Sequence, residues 1–133
     1  MGAKGVILMM VIGVGMTLDE FFQGYDESRQ LFDSVCEMLA NIGSTEMRIS
    51  KSQIAFWRRK SVARVWIPAR YLKRDVAPLV LTLGFDHRDP SGRWKEIVEP
   101  VPGRFTHHLE LRSKGDIDDQ VRTWLQQAWI NAG

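Results

Sequence analysis

Only one cysteine, Cys36, is present, so no disulfide can close within the chain, and no second thiol lies at metal-ligand or redox spacing. A reducing, cytoplasmic setting is the expectation that follows. No apolar run reaches the ~18 residues that a membrane-spanning helix requires. The longest, Gly5 to Met16, stops short of that length. Catalytic signatures are missing too: no Gly-rich phosphate loop, no Gly-x-Ser-x-Gly elbow and no His-Glu-x-x-His pair occurs. Histidines are few, and His107 and His108 are neighbours on an alternating stretch, where successive side chains point to opposite faces and cannot share one ion. Neither a metal nor a cofactor is implied. Acid is lacking in one place in particular, since Arg48 to Arg74 holds nine bases and no Asp or Glu.

That gap gives the chain its asymmetry. The net charge of +2 conceals an acidic first part, Thr17 to Met47, with seven acids against the single base Arg29, followed at once by the acid-free basic stretch. Hydrophobic residues at 44% and charged residues at 26% are ordinary for a folded globular chain. We divide the chain into an apolar N-terminal extension, residues 1–16, and one domain, residues 17–133. The extension is a poor signal peptide, with Lys4 as its one positive charge and Gly13-Val14-Gly15 a weak cleavage site. A plainer reading makes Met16 the start of the domain and the apolar tail a segment that seeks a groove or a second copy of the chain.

Local signals give the order of elements. Thr17 with Glu20 forms a capping box for a short helix ending at Gly24. Asp26 is the expected cap of a second helix, with Leu31, Val35, Met38, Leu39 and Ile42 on one stripe and Gly43 as its stop. The period then changes to two through Met47 and Ile49, Ile54 and Phe56, and Ala63, Val65 and Ile67. A hairpin turning at Arg58-Arg59-Lys60-Ser61 sets Phe56 opposite Ala63 and Ile54 opposite Val65. Trp57 with Val62, Ala55 with Arg64, and Gln53 with Trp66 then fall on the other face, provided the loop has an even count of residues. Pro68 ends the strand. Leu79 to Phe85 reads as a central strand, Ile97 to Val101 as a short extended segment, and Phe105 to Leu111 as the last strand. Asp116 is the expected cap of a final helix bearing Ile117, Val121, Trp124, Leu125 and Ala128. The predicted fold is therefore α+β: N-terminal helices, an antiparallel sheet of about five strands, and a C-terminal helix packed on one face.

The basic stretch with its tryptophans is the constellation that suggests a function. Bases that follow a phosphate backbone and aromatic rings that stack on nucleobases are the tools of single-strand binding. The candidate contact residues are Lys51, Trp57, Arg58, Arg59, Arg64, Trp66 and Arg70, with Arg104 and His107 from the neighbouring strand. A solvated basic face that guards sheet edges is the competing reading. A second functional reading brings Lys51, Arg104 and His107 together around an anionic small molecule, as a binding protein or weak enzyme. A third is self-association, as a homodimer, through the apolar tail. Cys36, mid-helix, reads as an inert small hydrophobe.

Lys51-Ser52-Gln53-Ile54-Ala55-Phe56, Val62-Ala63-Arg64-Val65, Arg104-Phe105-Thr106-His107 and Asp116-Ile117-Asp118-Asp119, leading to Trp124-Leu125 and Ala128-Trp129, resemble an uncharacterised bacterial family, domain of unknown function 5655, over about Thr17 to Ala132. The resemblance implies a compact α+β module without an assigned activity. It departs from the family pattern at Val62, where an aromatic residue is usual, and at Trp129, where a tyrosine is. The hairpin is more distantly similar to the small domains grouped with frataxin-like iron chaperones, but no iron-binding carboxylate pattern carries over.

Overall fold

The computed structural model describes Met9–Val11 and residues 16–133. Helix α1, Leu18–Phe21, opens on the expected capping box: the Glu20 N–H donates to Thr17 Oγ1 (3.1 Å) and the Thr17 N–H to Glu20 Oε1 (2.9 Å). Gly24, at φ +83°, makes the turn into α2, Asp26–Ile42. Asp26 is not its cap. Tyr25 holds that position without a side-chain hydrogen bond, and Asp26 and Glu27 sit in the first turn, where the helix dipole favours carboxylates. Gly43 does end the helix, and Leu31, Phe32, Val35 and Leu39 form its buried stripe.

Seven strands form one sheet: β1 (Met9–Val11), β2 (Thr45–Ile49), β3 (Ile54–Trp57), β4 (Ser61–Trp66), β5 (Leu79–Phe85), β6 (Glu96–Val101) and β7 (Arg104–Leu111). Their spatial order is β1-β2-β3-β4-β5-β7-β6. All neighbours are antiparallel except β1, which runs parallel to β2 at the edge. The α+β architecture is as expected, with six antiparallel strands in place of about five, because Glu96–Val101 pairs with β7 as a strand in its own right. The additional edge strand β1 comes from the segment read as an extension.

The expected hairpin register holds for Ile54 with Val65, Ala55 with Arg64 and Phe56 with Ala63. It fails at the tip. Trp57 pairs with Ser61, not Val62, so the loop has three residues, Arg58 to Lys60, and Val62 is the extra residue of a bulge. The bulge absorbs the odd count and keeps the faces unmixed, while Val62 joins the buried cluster. Ile54, Phe56, Ala63, Val65, Leu79, Leu81, Leu83, Phe85, Leu109 and Leu111 line the inner face, where α2 and the final helix α3, Asp119–Asn131, cover them. Asp118, not Asp116, caps α3, its Oδ1 accepting from the Val121 N–H at 3.1 Å. Asp116 instead closes a single 3-10 turn, Lys114–Asp116, accepting from the Arg112 and Ser113 N–H groups. Pro68 begins another 3-10 turn, Pro68–Arg70, directly after β4.

The helix-free face of the sheet

Alternation places a second set of side chains on the opposite face. Following the pairing, one row across the sheet reads Arg48, Ala55, Arg64, Thr82, His108, Glu96. Beside it, Gly84, Thr106 and Val98 align on β5, β7 and β6. Toward the other end, Trp66, Val80 and Glu110 align on β4, β5 and β7. None of these residues belongs to the cluster packed under the helices.

A groove of about 300 Å³ lies over this face, lined by Arg64, Thr82, Gly84, Arg104 and Thr106, with Pro100 and Val101 on its β6 side. A smaller cleft of about 210 Å³ shares Ser61, Gly84 and Arg104 with it and continues past Lys60 and Asp86 to Asn131 at the end of α3. Gly84 and Arg104 thus mark the junction of two hollows. Among the described residues, Arg64 and Arg104 take part in no ion pair. Other bases on this face are engaged. Arg48 bonds Glu46 and lies 4.1 Å above the Trp57 ring, and Glu110 takes Lys95 and Arg112. Trp57 and Trp66 are half-buried, and Tyr71 stands 6.4 Å from Trp66 with 54% of its surface exposed. The His108 Nδ1 and Thr82 Oγ1 are hydrogen-bonded at 2.9 Å, and burial lowers the His108 pKa.

The remaining candidate residues are distributed elsewhere. Arg58 and Arg59 dock the hairpin tip onto α3. The Arg58 guanidinium lies 3.6 Å over the Trp129 ring and donates to the Trp129 carbonyl, while the Arg59 and Lys60 N–H groups both donate to the Ala132 carbonyl. Such a contact satisfies a helix C-terminus, whose last carbonyls have no intrahelical partner. Arg70 lies against Phe21. Lys51 is exposed in the turn between β2 and β3.

Lys51, Arg104 and His107 do not converge. Lys51 and Arg104 lie at opposite ends of the sheet, three strand spacings apart across it, upwards of ~20 Å by standard strand dimensions. His107 is on the inner face and fully buried. Its Nδ1 meets the Phe105 carbonyl at 3.0 Å and its Nε2 accepts the Asp89 N–H at 3.0 Å, which defines a neutral ring protonated at Nδ1. Burial lowers its pKa, consistent with that state.

Around His107 lies a network that the sequence did not disclose. Asp89 accepts from the Trp94 indole at 3.0 Å, the Trp124 indole at 3.3 Å and the Ser91 N–H at 3.1 Å. Burial raises the Asp89 pKa, but these donors outweigh it and hold the carboxyl below its ordinary value. Arg93 then bridges to the Asp118 carboxylate, Gln120 and the Asp116 carbonyl, pinning the loop before β6 to the start of α3. Only the Asp89-Pro90-Ser91-Gly92 turn signal was visible in advance. Cys36 is half-buried in α2, and burial pushes its thiol pKa far up, which leaves little thiolate.

These features define a class: an α+β module with helices on one face of an antiparallel sheet and a grooved opposite face on which Arg64 and Arg104 take part in no ion pair among the described residues. The chain belongs to the family described as domain of unknown function (DUF5655), whose model matches residues 18–132. No curated protein and no solved structure matches it, and the likeness to frataxin-like domains gains no support. Among the described residues, no three His, Cys, Asp or Glu side chains are grouped to hold a metal ion, and no helix is long and apolar enough to cross a membrane.

Proposed function

We propose that the chain is a non-catalytic binding module that holds single-stranded nucleic acid on the helix-free face of its sheet. The observation that carries this reading is the placement of two arginines that take part in no ion pair among the described residues, Arg64 and Arg104, along one groove on the face that also carries Trp57 and Trp66. Open guanidinium groups recruit phosphates by releasing counterions, and flat rings accept bases without regard to sequence. Of the nine residues first singled out, Trp57, Arg64, Trp66 and Arg104 carry the proposed contact, while Arg58, Arg59 and His107 serve the fold. Lys51 adds only general positive charge, and Arg70 packs on Phe21.

A mobility-shift titration with short single-stranded DNA and RNA tests it. Binding at low salt that weakens steeply as salt rises is the expected result. No shift at low salt removes the reading.

A further inference from the structure

Gly84 is the penultimate residue of β5, paired with Thr106 of β7 and one position beyond Leu83, the last residue of β5 paired with β4, at the level of the Val62 bulge. Glycine is costly in such a place, because it contributes no packing and loses the most conformational freedom on folding. The bulge at Val62 lies beside it, but two other structural reasons for a glycine do not apply. Its φ is not in the left-handed region, and a Cβ built on it would meet nothing within 4 Å. No neighbouring side chain or backbone needs the space that this glycine leaves. A glycine inside a strand also marks a place where something outside the fold comes close to the backbone, and Gly84 is the floor where both hollows meet.

We propose that Gly84 is the floor of a subsite for one nucleotide, its base lying flat on the sheet and its 5′- and 3′-phosphates held by Arg64 and Arg104, one at each side. The inference rests on the single-strand reading and assigns its point of registration. A volume of about 300 Å³ is at the lower bound of small-molecule sites, which suits one nucleotide rather than a larger cofactor. Arg64 and Arg104 are two strands apart and on different rows of the pairing pattern, a separation of about 16 Å between their Cα atoms by standard strand geometry. That spacing suits two phosphates flanking a base better than one phosphate clamped between both side chains. Thr106 lines the groove and offers its hydroxyl to the sugar or base edge, beside Thr82, whose own hydroxyl is held by His108 Nδ1. Pro100 and Val101 supply an apolar wall against which a ring can rest.

The test separates this subsite from the wider reading. Gly84→Val fills the floor without changing charge, and because nothing opposes its Cβ, the variant folds with unchanged or raised melting temperature. Titrations use a nucleoside 3′,5′-bisphosphate, the 5′-monophosphate, the nucleoside, inorganic phosphate and a short single-stranded oligonucleotide. The expected order is bisphosphate over monophosphate over nucleoside, with inorganic phosphate weaker than either nucleotide. In Gly84→Val, bisphosphate and oligonucleotide affinity should fall by about tenfold or more, a change equivalent to ~1.4 kcal/mol. If oligonucleotide binds the wild type and Gly84→Val equally, the subsite is wrong and the single-strand reading stands. If the bisphosphate binds through Gly84 but the oligonucleotide does not bind, the strand reading falls and the subsite stands. Inorganic phosphate binding as tightly as the bisphosphate overturns the base-on-floor geometry, and no binding of any probe overturns both.

Discussion

Gly43 and Gly84 both have extended backbones, yet one is demanded by the fold and the other is not. At Gly43 the Trp129 ring lies directly against the backbone, where a Cβ would overlap the indole, while the indole N–H donates to the Ser44 carbonyl at 3.0 Å. Gly43→Ala must therefore displace Trp129. Overpacking of this kind costs about 1–3 kcal/mol, readable as a lowered urea midpoint with unchanged slope. The two histidines of β7, one buried and one half-buried, give a second prediction. Burial holds the pKa values of His107 and His108 below their ordinary 6.5, so the folded state prefers neutral rings. Their contribution to stability is complete above about pH 6.5 and is lost as pH falls from there through the folded-state values. Asp89 has the same sign in a lower window. Its depressed pKa favours the fold above the ordinary carboxylate value and ceases to do so as pH falls through the folded value. Urea midpoints should hold level from pH 8 to 7 and decline below 6.5. His108→Gln should make that first decline shallower without abolishing it, because His107 remains.

At the scale of elements, what was legible followed from how local each signal is. The capping box of α1, the stop at Gly43 and the inner faces of β3 and β4 depend on residues a few positions apart, and the structure has them as read. The bulge at Val62 was not legible, because a four-residue loop and a three-residue loop with a bulge satisfy the same alternation. The choice accompanies a contact 71 residues away, where Arg58 meets the Trp129 carbonyl. Asp118 replaced Asp116 as a cap for a similar reason: Arg93, from a distant loop, engages its carboxylate as well. The candidate site divided along the same line. Strand parity identified Arg64 and Trp66 as outward-facing, but only tertiary structure could assign Arg58 to a helix end. Arg58→Ala should therefore cost about 0.5–1 kcal/mol, as expected for an exposed cation–π contact. It should speed amide exchange at Arg59 and Lys60 while leaving nucleic-acid affinity within about twofold, since this side chain does not enter the proposed groove.

For the whole molecule, the charge asymmetry acquires a direction. Arg29 satisfies Asp19 and Asp33 within the helical layer, and none of the ion pairs among the described residues joins the acids of α1 and α2 to the bases of the hairpin. Negative charge gathers on α1 and α2, while Arg64 and Arg104 stand outside any ion pair among the described residues on the open face, with Glu96 at the far end of the Arg64 row, an arrangement that turns the acidic layer away from an approaching polyanion. If Arg64 and Arg104 each neutralise one phosphate, the double variant Arg64→Ala, Arg104→Ala should bind single strands with a log K against log salt slope shallower by about 1.4. An unchanged slope with lowered affinity would mean that these arginines act through packing.

The bulge at Val62 also bears on how this hairpin can change length. Within a regular strand, losing one residue inverts every side chain beyond it and turns the core face outward. Here the chain carries one surplus position. Deleting Val62 would leave Trp57 opposite Ser61 and Phe56 opposite Ala63, with the three-residue loop and its hold on Ala132 intact. The loss would be that of one buried side chain rather than of the register. The hairpin is thus predicted to accept a single-residue deletion at the bulge while keeping Ala55 opposite Arg64 and Ile54 opposite Val65, an allowance for sequence drift set by the geometry of its tip.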